Sequence, residues 1–211
     1  MVRRHAVGLA FSVAFGLAAA AAQAMTVEFV PPNDPDGYSS AGIHNNGWVS
    51  GRGIGFTVTE DLWVSSVGVR HDLTDIDLAW SLSEIDALTG SFSVVRTLVS
   101  GAGLTSTEGF AWIDRSFSAV MLEAGTNYLI EFSFAGVMNT SFFYDNENEP
   151  WSQGVFANLE GTQSRSFGNY VLAPFRIGTT DAPAAVPAPA AAPLLVAALG
   201  GLAMIRRRRG G

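Results

Sequence analysis

His44 and His71 are the only histidines between residues 25 and 180, and the whole chain contains no cysteine and no lysine. That inventory removes thiol chemistry, thiolate metal sites, disulfides and any phosphate-cradling glycine loop that ends in lysine. Neither H-E-x-x-H nor G-x-S-x-G occurs, so the common zinc-protease and serine-hydrolase constellations are absent. Gly51-Arg52-Gly53-Ile54-Gly55 is glycine-rich, but it precedes a strand pattern and not a helix, which predicts a turn in place of a phosphate cradle. No catalytic residues and no cofactor are expected.

Two chemistries remain open to these side chains. Asp145-Asn146-Glu147-Asn148-Glu149 sets oxygen ligands at alternate positions, as a hard cation such as calcium requires, with Asp145, Glu147 and Glu149 as the charged ligands. Pro150 stands where an EF-hand loop needs glycine, and a solvated acidic loop is the plainer alternative. Asp72, Asp75 and Asp77 beside His71 form a weaker cation candidate. The second chemistry is sugar binding, in which the apolar C–H face of a pyranose stacks on a flat ring. Trp48, Tyr144 and Trp151 lie in polar, loop-like surroundings, with Asn45, Asn46, Asp145 and Asn148 as hydrogen-bonding neighbours in the sequence. Trp80 and Trp112 fall within strand patterns instead, where core packing is the expected role.

Strands must position all of these groups. Period-two alternation marks segments at 53–59, 62–70, 77–83, 92–99, 110–119, 127–134, 141–144 and 169–177, and no long helical period competes with them. Leu78, Trp80 and Leu82 share one face of their segment; Tyr128, Ile130, Phe132 and Phe134 share one face of theirs. Turn signals at Leu88-Thr89-Gly90, Gly101-Ala102-Gly103 and Glu123-Ala124-Gly125-Thr126 divide the segments. This spacing predicts an all-β fold, an antiparallel, jelly-roll-like β-sandwich over residues 25–180. Six arginines face eighteen acidic residues across that span, which argues against nucleic acid as a partner because phosphate binding needs a basic patch.

The ends read differently. Arg3, Arg4 and His5 precede an apolar run over 6–21, and Ala22-Gln23-Ala24 fits the small-residue cleavage pattern, so residues 1–24 read as a secretory signal helix cut after Ala24. Residues 181–192 form a Pro/Ala linker, and 193–211 hold an apolar helix closed by Arg206, Arg207, Arg208 and Arg209. Residues 193–205 alone would rise about 20 Å as a helix against a bilayer core of about 30 Å, so a transmembrane helix requires 188–192 as well. The arginines would stay cytoplasmic, leaving the body on the far side of the inner membrane.

The stretch from Val186 to Arg209 resembles the PEP-CTERM sorting signal of Gram-negative bacteria, nearest to its VPLPA variant. Val186-Pro187-Ala188-Pro189-Ala190 matches that motif with Ala188 where the variant has leucine, and the hydrophobic helix and arginine cluster follow in order. The resemblance implies an exosortase-like processing enzyme as partner, a transient inner-membrane anchor and a final place at the cell surface or outside the cell. From about Trp48 to Phe134 the body also looks like a β-sandwich module of exported, tail-anchored bacterial proteins. Gly55-Phe56-Thr57-Val58, Val64-Ser65-Ser66-Val67-Gly68-Val69 and Leu122-Glu123-Ala124-Gly125-Thr126-Asn127-Tyr128 carry that likeness. Together these features point to a non-catalytic envelope protein associated with extracellular polysaccharide or matrix. A structural surface protein without a specific ligand, and a polysaccharide-acting hydrolase using carboxylates that no motif marks, are the alternatives.

Overall fold

In the segment Asn127–Ser133, Tyr128, Ile130 and Phe132 are fully buried on one face, and Leu129 and Glu131 on the other face are buried as well. The structure, a computed structural model, describes residues 25–31, 39–41, 48–135, 142–144, 149–168 and 172–182, with 39–41 and 142–144 described by their backbone alone. In chain order the strands are β1 (Met25–Glu28), β2 (Ser39–Ala41), β3 (Arg52–Val58), β4 (Leu62–His71), β5 (Ile76–Ile85), β6 (Val94–Thr105) and β7 (Ala111–Leu122). They continue with β8 (Asn127–Ser133), β9 (Phe142–Tyr144), β10 (Trp151–Gln153), β11 (Phe156–Gln163), β12 (Ser166–Phe167) and β13 (Phe175–Thr180). The fold is all-β, and every strand pairing described is antiparallel.

Two sheets account for most of the strands. One has the order β1-β13-β4-β7; the other runs β10-β11-β3-β8-β5-β6, with β12 added against β11. β2 and β9 form a separate two-stranded ribbon. The pairings nest. β5 and β6 make a hairpin, β4 pairs with β7 outside it, β3 with β8 outside that, and β1 with β13 outermost. Successive pairs in this nest alternate between the two sheets.

The sheets meet in one hydrophobic cluster that takes Phe56, Tyr128 and Phe132 from the larger sheet and Val67, Ile113 and Phe175 from the smaller. A sandwich-like architecture follows, since each sheet has an apolar face to remove from water and each covers the other. Fully burying one such Phe or Ile contributes about 1.5–3 kcal/mol. Phe156 sets its edge against Phe29 at 5.1 Å and Phe56 at 5.4 Å, closing one part of this core. At the β7–β8 corner Gly125 has φ +77° and its N–H donates to Val58 O at 2.8 Å, while the Tyr128 hydroxyl accepts from the Glu123 N–H at 2.8 Å.

Each of the expected strand segments overlaps an observed one, although residues 169–171 of the last lie outside the described residues. One turn expectation needs correcting. Gly101-Ala102-Gly103 lies inside β6, opposite Trp80, Ala79 and Leu78. The Trp80 indole lies over Gly101, where a Cβ would come within 2.8 Å of its Nε1, so the small residue serves a cross-strand contact and not a bend. Alternation does not mark β1, β2, β10, β11 and β12, because they are short or, in β11, irregular at the register shift between Ala157 and Glu160.

Candidate functional site

The two indoles expected in loop surroundings are core residues, which corrects the expectation of exposed sugar-stacking rings there. Trp48 opens the 3-10 turn Trp48–Ser50 and is 0% exposed. Its ring stacks on Phe134 at 5.3 Å and meets the edge of His71 at 5.1 Å, while the Arg52 guanidinium lies 5.7 Å from the ring centre. The Trp48 carbonyl accepts from Phe134 N–H and Gly51 N–H, both at 3.1 Å, so the turn is sewn to the strands on either side. Trp151 begins β10 and belongs to the same core cluster. Polar sequence neighbours hid both, because an indole that docks into a core needs only its own ring to be apolar.

Tyr144 ends β9 with its backbone opposite Ser39, and its side chain lies outside the described residues, as do Asp145 and Glu147. Glu149 is described and exposed. The calcium expectation at 145–149 therefore falls mostly outside the described residues, and among those described no three His, Asp or Glu side chains gather as metal ligands. Asp75 is instead held in a turn, where the Ser106 hydroxyl donates to its carboxylate at 2.8 Å. The signal residues Ala22 and Ala24, the motif 186–190 and Arg206 to Arg209 also lie outside the described residues.

Buried titratable groups sit apart from one another by face. His71 points inward beside Trp48, its Nδ1 3.1 Å from Asp72 O, and burial together with the nearby Arg52 charge pulls its pKa down to about 4. His71 ends β4 of the smaller sheet, whereas Glu131 on β8 of the larger sheet points away from the core, against Gly51. Burial pushes its carboxyl up, and Arg165 at 3.7 Å only partly offsets this; among the described residues Oε2 has no hydrogen-bond partner. A neutral imidazole wedged among rings and a carboxyl on the far side of the other sheet are suited to packing, not to a concerted proton transfer. A cavity of about 230 Å³ lies at the β1 edge, lined by Met25, Val27, Leu62 and Phe156, with Glu60 at its margin. Gln153 bridges there to β1, donating to Glu28 O at 2.6 Å and accepting from Val30 N–H at 3.1 Å.

The outer face of the β1-β13-β4-β7 sheet gathers a different set. Ile113 and Leu122 turn into the core, so Trp112 and Asp114 on β7 face outward. Trp63 and Met121 pair across β4 and β7 with neither in the core cluster. Arg176 crosses above Gly68 to reach Asp114: its Nε donates to Oδ1 at 2.7 Å, its Nη2 donates to Oδ2, and its guanidinium lies 4.3 Å from the Trp112 ring centre. Arg70, directly opposite Trp112, stacks on Phe110 at 4.5 Å. Sequence reasoning assigned Trp112 to the core. The signal against that was present, because Trp112 shares its parity with Asp114 and Ser116 while Ile113 alternates with it.

Searched against protein-family models and against curated proteins, the chain matches none.

Proposed function

We propose that this protein is an exported, tail-sorted envelope protein whose jelly-roll body associates, without catalysis, with extracellular polysaccharide. The nested strand pairing supports the jelly-roll part, since a long hairpin rolled into two sheets gives such an alternation of pairs. The N-terminal signal and the arginine-closed tail support export and sorting by an exosortase-like enzyme, with a signal helix and a transient membrane helix at the two ends. Among the described residues no helix is long and apolar enough to cross a membrane, and the tail itself is not among them.

One observation carries the polysaccharide part: Trp63 and Trp112 stand on one outward sheet face with Ser66 and Ser116 between them in register. Flat rings separated by hydroxyls match the alternating C–H faces and hydroxyl edges of a sugar chain, and stacking on such rings needs no reaction. The test is retention of the full-length chain, in detergent, on exopolysaccharide from the cells that make it. Changing both Trp63 and Trp112 to alanine should release it. Undiminished retention of that double variant would transfer the role to the structural alternative. For the tail, deletion of residues 206–209 should leave the protein in the inner membrane, and normal surface display of the deletion would refute the sorting role.

A further inference from the structure

Within the acidic body this outer face is unusual in its charge. Of the six arginines between residues 25 and 180, Arg70 and Arg176 lie here on neighbouring strands, joined through the Arg70 N–H to Pro174 O bond of 3.0 Å. Arg176 is neutralised by Asp114. Arg70 is not: it is half-buried on Phe110 and makes no ion pair among the described residues, whereas Arg96, Arg165 and Arg176 each have a carboxylate. A guanidinium held against a ring, with its hydrogen-bonding fork unclaimed by a carboxylate, is preorganised for a planar anion. Glu28, opposite Arg176 on β1, and Asp114 are the acidic groups that share these rows.

The anion must also suit the rest of the face. Trp63 and Arg70 are seven positions apart on β4, about 23 Å at roughly 3.3 Å per residue, and Trp112 lies beside Arg70. That length fits an oligomer and not a single small acid. A chain of sugar rings, each with an apolar face for an indole and a carboxylate for the guanidinium, is an oligomer of that length. We propose that the outer face of the four-stranded sheet binds a linear, uronate-bearing polysaccharide, with Arg70 pairing a sugar carboxylate and Trp112 and Trp63 stacking on ring faces. This rests on the polysaccharide reading and adds to it the acidic class of sugar and the residue that selects it.

The experiment compares binding of the full-length chain to polygalacturonate and to its methyl-esterified, uncharged form. Wild type should prefer the charged polymer, and that preference should shrink with added salt. Arg70→Gln should weaken polygalacturonate binding about tenfold, the scale of one charge-assisted bidentate contact, with the esterified polymer bound as before. Arg70→Lys should keep part of the preference, and Trp63→Ala should weaken both polymers alike. Equal binding of polygalacturonate by wild type and a thermally intact Arg70→Gln would overturn the assignment, as would a preference for the esterified polymer. Retention on native exopolysaccharide with none on polygalacturonate would overturn the acidic class and leave the broader reading standing. Retention on no polysaccharide at all would remove both.

Discussion

On the larger sheet the face turned away from the core carries Ile85, Leu129 and Phe167, which pack with Phe92 and Leu88 into a second small hydrophobic cluster. On the smaller sheet the equivalent face carries Trp63, Arg70, Trp112 and Arg176, none of which belongs to either cluster. The added strands explain the difference. β11 turns back through Ser164 and Arg165 into β12, and Phe167 N–H donates to Gly90 O at 2.8 Å, so this hairpin is fastened over the β5–β6 turn and covers β8 from outside. β8 is consequently buried on both faces, and Glu131 is trapped with it. Nothing comparable covers the smaller sheet among the described residues, where side chains lie across the strands as ion pairs and stacked rings. Among the described residues, one face is closed by packing and the other is left available for contact.

The strongest way to break this contrast is Phe167→Ala. It empties a 4%-exposed ring site that is 5.1 Å from the Phe92 ring, and a loss of about 3 kcal/mol in denaturant unfolding is expected. A loss under about 1 kcal/mol would mean that the hairpin does not fasten the covered face.

Acid should act through the buried groups, His71 in the core and Glu131 on the covered face. Unfolded His71 takes up a proton near pH 6.5 but the folded imidazole does so only near pH 4, so the unfolded state binds more protons between those values. Its contribution is intact above about pH 6.5 and is lost as pH falls to about 4, by about 3 kcal/mol in total. Glu131 has the opposite sign. Its raised pKa makes the folded state bind a proton first, so acidification through that value returns stability. Unfolding midpoints from pH 8 to pH 4 should therefore fall in wild type and stay flatter in a folded His71→Phe variant.

Two glycines sharpen the contrast at smaller scale. A Cβ at Gly55 would sit 2.4 Å from the Phe167 ring and 2.8 Å from Leu88, inside a packed cluster, and Gly55→Ala should cost about 2 kcal/mol. A Cβ at Gly68 would meet the Asp114 carboxylate at 2.5 Å, but that is the end of an exposed side chain able to swing away, so Gly68→Ala should cost under about 1 kcal/mol. Equal costs would erase the distinction between covered and open faces. Smallest of all, Asp114→Asn should cost about 0.5 kcal/mol at low salt and less in high salt, because both partners of the Arg176 pair reach solvent.

Much of the fold was legible in advance. Tyr128, Ile130, Phe132 and Phe134 were expected on one buried face and occupy it, and Gly125 was expected at a corner and forms one. The burial of Leu129 and Glu131 on the opposite face was not legible, since the Phe167 and Arg165 segment that covers that face comes from a distant part of the chain. The candidate site was read less well. Trp48 and Trp151 were sought at the surface and lie in the core; Trp112 was sought in the core and lies on a sheet face.

The sequence by itself determined where most of the strands run, the turn at Gly125 and the acidity of the body. These are local properties: a period of two, a left-handed turn and a charge count depend on a residue and its near neighbours. Only the tertiary structure decided which indoles are covered and, among the described residues, which sheet face stays open and that Arg70 stands without a carboxylate beside Trp112. Those outcomes depend on strands distant in sequence, such as β13 beside β4 and β12 over β8, and burial is a property of what arrives to cover a residue.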